Sequence, residues 1–216
     1  MARIGNGRSN MANASARAKA RKAGLIDSTR MRQLLQQGPD TIGTSIAEFG
    51  YRAEIDLYAS RLSGADLIEA ALNHNLDSDF ESVLRFCQGR LKSMVAVYVE
   101  RYSFQNAKTV LRAIHSGANA EMVADQVLPE ENLNNSYWLD IIRNCNTLGD
   151  AMNAMSGTSW GLALSKLDVD SNLQQMEDTL DTAYYSEAIS SFRGPDGHPL
   201  LERYIRIEID HRNIIK

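Results

Sequence analysis

The side chains able to do chemistry are few and scattered. His74, His115, His198 and His211 lie far apart, and no H-E-x-x-H or Cys/His spacing brings two of them onto one zinc ion. A surface or capping role is expected of each. Asp77 with Asp79, and Asp168 with Asp170, resemble the start of a divalent-cation loop, but neither pair is followed by the glycine and glutamate that complete a calcium loop. They read as acids at helix starts, which the positive end of the helix dipole favours. Cys87 and Cys145 stand alone on helical-looking segments, so they suggest neither a disulfide framework nor a metal site. Buried free thiols in a reducing, cytoplasmic setting are expected.

Nucleotide hydrolysis would need a phosphate cradle such as G-x-x-x-x-G-K-[ST], and the sequence has no such string. Ser156-Gly157-Thr158-Ser159-Trp160-Gly161 is the nearest glycine-containing loop, but it lacks the lysine and follows no strand, so it reads as a connector. No nucleophile stands within sequence reach of a base. The sequence therefore names no catalytic, cofactor-binding or metal-binding residue, and a protein without its own active site is expected.

Composition narrows the classes further. A chain of 216 residues can form one large domain or two modules, and either size can bury a core. With 44% hydrophobic and 23% charged residues and only four prolines, it has the balance of a globular protein with room for long helices. A formal charge of −4 and a pI near 5.6 argue against a general nucleic-acid binder. The apolar run Met94 to Val99 is far short of the roughly 20 residues a spanning helix needs, so no direct membrane span is expected.

Helices must position whatever the chain does, because apolar residues recur at steps of three and four and no alternating run is long enough for a sheet. An all-α fold follows. Ser63-Gly-Ala-Asp66 reads as a capping box opening a face of Leu67, Ile68, Ala71 and Leu72. After a short break, Val83, Leu84, Cys87, Leu91, Met94, Val95 and Tyr98 predict one long stripe, and Val110, Leu111 and Ile114 another that Ser116-Gly117 stops. Asn119 is the expected N-cap for Met122, Val123 and Val127, with Pro129 ending that helix. Trp138, Ile141, Ile142 and Cys145 mark the next face, and Thr147-Leu-Gly-Asp150 a second capping box. Leu173, Met176 and Leu180 start a further helix, and Gly194-Pro-Asp-Gly197 signals a turn before Leu200, Leu201, Tyr204 and Ile205.

The first 26 residues hold Arg3, Arg8, Arg17, Lys19, Arg21 and Lys22 and no acid. Such a start resembles a mitochondrial presequence and could also serve as a nucleic-acid arm. The alanine-rich stretch Asn13 to Lys22, closed by Gly24, favours a structural helix instead.

Two weak internal matches occur in the same order. Leu76-Asp-Ser-Asp-Phe80 parallels Leu180-Asp-Thr-Ala-Tyr184, and Ser103-Phe-Gln-Asn-Ala107 parallels Asp210-His-Arg-Asn-Ile214. They suggest modules of about 105 residues, one over 1–117 with the basic helix and one over 118–216, the second stopping at Lys216 inside its last helix. A truncated chain is expected on that reading.

Several strings resemble the C subunit of archaeal-type ATP synthases, the relative of the d subunit in vacuolar ATPases. They are Gly7-Arg-Ser-Asn10 with Ala16-Arg-Ala-Lys-Ala-Arg21, Phe49 to Ile55, Leu62 to Leu76 and Tyr102 to Arg112. Gly157-Thr-Ser-Trp160, Leu180-Asp181 to Tyr185 and Glu208-Ile-Asp210 to Asn213 resemble it more loosely, and Met11 to Asn13 lacks the family's tyrosine. The resemblance implies an incomplete funnel, two of three repeated helical modules. It also implies a non-catalytic central-rotor subunit, peripheral on the cytoplasmic face of the membrane, coupling the central-stalk subunits to the proteolipid ring in proton or ion transport. A generic helical-repeat adaptor and a basic-armed nucleic-acid-binding protein are the alternatives.

Overall fold

The computed structural model describes residues 7–127, 133–168 and 171–215. Among them there is no strand, and the chain is all-α. The helices are α1 Met11–Ala23, α2 Ser28–Leu34, α3 Pro39–Ile46, α4 Arg52–Tyr58, α5 Gly64–Phe86, α6 Gly89–Val99 and α7 Arg101–Ser116, followed by α8 Ala120–Val127, α9 Leu133–Asn144, α10 Leu148–Ala154, α11 Ser159–Leu164, α12 Leu173–Arg193 and α13 Pro199–Ile215. A π-turn over Ala47–Tyr51 joins α3 to α4.

Two compact units result. The smaller spans Met11–Phe86 and the larger combines Met1–Asn10 with Cys87–Lys216. Each has its own core, as separate burial of apolar stripes requires. In the smaller, Ala47, Ile55, Tyr58, Ala70 and Ala71 pack where α3 and α4 meet α5. In the larger, α12 lies against α6, α7, α11 and α13, with Met176, Leu180, Tyr184, Ala188 and Phe192 on its buried side. Val110, Leu111, Met155, Leu164 and Ile205 close around that stripe.

The capping signals mostly form as read. Thr147 Oγ1 accepts from Asp150 N while Asp150 Oδ2 accepts from Thr147 N, both at 3.1 Å. Asn119 Oδ1 accepts from Met122 N at 2.9 Å. Gly117 ends α7 in the left-handed region at φ 72°, where a side chain would be strained. It lies inside the larger unit, so the helix stop near residue 117 does not divide these two units. Asn172 with Gln175 opens α12 through a capping box of the N-x-x-Q type. Pro129 and Asp170 lie outside the described residues, as does Arg3.

One expectation fails. The stripe from Val83 to Tyr98 is two helices, not one, and no break falls between Leu72 and Val83 because α5 runs unbroken from Gly64 to Phe86. Asp77 and Asp79 therefore sit well inside α5 and not at a helix start. The break comes at Cys87 and Gln88, where Gly89 adopts φ 56° and the N-terminal segment docks. Arg90 N donates to Gly7 O, Leu91 N to Ser9 Oγ and Gln88 N to Asn10 Oδ1, each at 3.0 Å. Residues some eighty positions upstream thus occupy amides that open α6, which otherwise has no partner within its own helix for them. A Cβ on Gly89 would come within 2.4 Å of Arg8 O, so the docking needs glycine for space as well as for φ.

Candidate functional site

The polar groups that the larger unit gathers lie between α7, α12 and α13. Along one face of α7 stand Arg101, Lys108 and Arg112. Facing them are Glu177 and Asp181 on α12 and Glu208 on α13. The i,i+4 spacing of Lys108 with Arg112, and of Glu177 with Asp181, stacks each pair on one helical face. Lys108 pairs with Asp181 and Arg112 with Glu177, so ascending α7 means descending α12, and the two helices run antiparallel along this contact.

The pairs differ in burial. Lys108 Nζ reaches Asp181 Oδ1 at 2.6 Å with only 9% of its side chain exposed, and Arg212 Nη1 of α13 adds a second contact to that oxygen at 3.3 Å. Arg101 Nη2 lies 2.7 Å from Glu208 Oε1, both side chains mostly buried. Arg112 grips Glu177 through two parallel bonds of 2.5 and 2.9 Å, but its own side chain is largely exposed.

Tyrosines complete the cluster. Tyr185 donates to Glu208 at 2.8 Å, Tyr184 donates to the carbonyl of Tyr98 at 3.3 Å, and Tyr98 and Tyr204 hydroxyls meet at 3.5 Å. Burial pushes the Tyr98, Tyr184 and Tyr185 phenols well above their ordinary range, so all three stay neutral donors. Arg101 lies over the rings of Tyr98 and Tyr102, and Arg212 over Tyr185, at 5.5 Å. Each carboxylate of the cluster is thus held by a cation, and Glu208 by a phenol as well. What it can do is fix the axial register of three helices, because any slip breaks several desolvated contacts together.

The residues that first invited chemistry are dispersed. His74 meets the Tyr58 hydroxyl at 3.2 Å in the smaller unit, His198 accepts from Leu200 N at 3.2 Å, His115 closes α7, and His211 is exposed on α13. Cys87 is a buried free thiol and Cys145 a half-buried one, and burial raises both. Among the described residues no group of three metal-capable side chains forms. Of the string Ser156–Gly161, residues 156–158 lie in the turn between α10 and α11 while Ser159, Trp160 and Gly161 open α11, with Thr158 Oγ1 accepting from Gly161 N at 2.9 Å, so only its first half is a connector. A groove of about 670 Å³ lies between α11 and α12, lined by Ser159, Leu162, Lys166, Thr182 and Glu187 among others.

Sequence reasoning did not single out the ion cluster, although three of the strings that carry the resemblance, Tyr102 to Arg112, Leu180 to Tyr185 and Glu208 to Asn213, converge on it. The available signal was cations on an amphipathic helix placed next to its apolar stripe, at 108 beside Ala107 and Leu111. The opening string Gly7-Arg-Ser-Asn10 likewise has a structural task, at the start of α6.

Fold and cluster together define an all-helical scaffold whose central helices are latched in register by buried ion pairs. The chain belongs to the ATP synthase (C/AC39) subunit family, whose model matches residues 14–216. It is 32% identical over 205 residues to the A-type ATP synthase C subunit of Haloquadratum walsbyi, covering 92% of this chain and 59% of that protein. The A-type ATP synthase C subunits of Haloferax volcanii and Methanosarcina mazei are 29% and 31% identical, over 92% and 97% of this chain and 58% of each relative. The chain thus spans less than three-fifths of the length of these curated relatives. No solved structure matches it. No helix among the described residues is long and apolar enough to cross a membrane.

Proposed function

We propose that this chain is a non-catalytic rotor subunit of an archaeal/vacuolar-type rotary ATP synthase/ATPase. It joins the central-stalk subunits to the proteolipid ring as a peripheral part on the cytoplasmic face of the membrane. The observation that carries the reading is the similarity to A-type ATP synthase C subunits over more than nine-tenths of the chain. The ion latch supports it physically: a part that transmits torque needs packed helices whose contacts resist axial slip, and α7, α12 and α13 are held in that way.

The basic N-terminal helix does not favour the nucleic-acid alternative. Arg21 pairs with Asp79 and donates to Ser82 at 2.6 Å, and Arg17 stacks over Phe86 at 5.4 Å, so part of the charge on α1 is turned onto α5. Pairwise binding of the purified chain to central-stalk subunits, to a solubilised proteolipid ring and to duplex DNA tests the proposal. Saturable binding to stalk or ring is expected. Binding to neither, with a salt-sensitive DNA shift, would replace it with the nucleic-acid reading.

A further inference from the structure

The chain leaves the larger unit after Asn10 and re-enters it at Cys87. These two crossing points are tied together inside that unit. Asn10 Oδ1 accepts from Gln88 N and Ser9 Oγ from Leu91 N, each at 3.0 Å, so residues 11–86 form a loop whose ends meet at the opening of α6. The same stretch of α6 holds a second segment. Arg90 donates through Nε and Nη2 to the carbonyls of Asp196 and Gly197, in the turn between α12 and α13. Strap, helix start and turn thus hold one another through donors and acceptors of the larger unit, and none of these bonds uses a group from residues 11–86.

The cores divide in the same way. Among the described residues the buried cluster of the smaller unit is Ala47, Ile55, Tyr58, Ala70 and Ala71, and it shares no member with that of the larger unit. Three of these five are alanines, which remove little apolar area from water, and small units bury a lesser share of their surface. The larger cluster holds Phe104, Trp138, Leu180, Tyr184 and Phe192 among others. Ion pairs follow suit, Arg21 with Asp79 in the smaller unit, Lys108 with Asp181 and Arg101 with Glu208 in the larger. Contacts that depend on one another fail together, and sets that share no side chain can open at different free energies.

We infer that Met11–Phe86 is an inserted unit that opens and closes as a whole while the larger unit, with residues 7–10 still docked on α6, stays folded. The strap is the device that permits this. With its ends tied, the opened insert is a closed loop, and closure entropy grows only with the logarithm of loop length. The start of α6 does not fray, because the amides of Gln88, Arg90 and Leu91 keep their partners on residues 7–10. A chain built in this way yields in one part under load and keeps the ion latch of α7, α12 and α13 intact. The inference rests on the fold and not on the rotor reading.

Native-state amide exchange of the whole chain, followed residue by residue by NMR in rising sub-denaturing urea, tests it. Amides of α4 and α5 are expected to share one opening free energy, lower than that shared by α7 and α12 and with a shallower urea slope, because less surface is exposed. Gln88, Arg90 and Leu91 are expected to exchange with α7 and α12, although Gln88 almost adjoins the end of α5. Ile55→Val, which trims one buried methyl group, speeds exchange in α4 and α5 about fivefold and leaves α7, α12 and the strap-held amides unchanged. Ile205→Val does the reverse. One opening free energy for all protected helices, a smaller unit that outlasts the larger, strap-held amides that exchange with α5, or variants that speed both sets alike would each overturn the proposal.

Discussion

At Lys108 the balance of electrostatic terms is sharpest. Its ammonium is nearly out of water and its attraction to Asp181 offsets the desolvation cost only while the pair is intact. Lys108→Met is expected to destabilise the chain by about 3 kcal/mol, since it leaves a carboxylate with Arg212 alone. A double-mutant cycle with Asp181→Asn should give a coupling of about 1 kcal/mol or more, whereas the cycle for Arg112 and Glu177, with its largely exposed guanidinium, should stay below about 1 kcal/mol. Urea unfolding of the four variants of each pair checks both. Asp150 gives a pH prediction. Its bond with Thr147 holds the carboxyl below its ordinary value of 3.8, so the cap's contribution is complete above that value and is lost as pH falls through the lower folded one. Asp150→Asn should therefore have a lower urea midpoint than the parent at about pH 7, with the gap narrowing as pH falls below the ordinary value of 3.8.

Elements were legible where their signals are local. Gly117, Asn119 and the Thr147–Asp150 box each act within four residues, and each stands where the sequence placed it. The join between α5 and α6 did not, because the three-and-four spacing of Val83 to Tyr98 continues through it and the break depends on residues 7–10 arriving from elsewhere in the chain. The ion latch was illegible for a related reason. Lys108, Asp181 and Glu208 lie on three different helices, and sequence spacing cannot tell a charge facing water from one facing a carboxylate across a helix pair. The docked cap makes its own prediction. Asn10→Ala and Ser9→Ala should each cost about 1 kcal/mol, as lost helix caps do, and hasten amide hydrogen exchange at Gln88 and Leu91 respectively. Gly89→Ala should cost more than either, since it meets both an unfavourable φ and the Arg8 carbonyl.

On the scale of the whole molecule, the all-α class and the family were readable from periodicity and from strings such as Leu62 to Leu76, and the family model spans residues 14–216. The division of the chain into modules is a separate question. Residues 1–117 and 118–216 were paired by weak sequence matches, while compactness groups 11–86 apart from the rest, because α7 buries its apolar face against α9 and α12 beyond the Gly117 stop. Sequence repeats and compact units are different partitions, and the module reading remains a proposal about ancestry. The rotor proposal needs the larger unit to carry load between two partners without internal slip. Its most direct test is a bridging assay: proteolipid rings in lipid vesicles are incubated with labelled central-stalk subunits, with and without this chain, and the vesicles are sedimented. The rotor proposal predicts that stalk subunits reach the vesicle pellet only when the chain is present, and that Lys108→Met lowers the amount retained. Equal stalk retention with and without the chain, or a chain that stays in the supernatant, would contradict it.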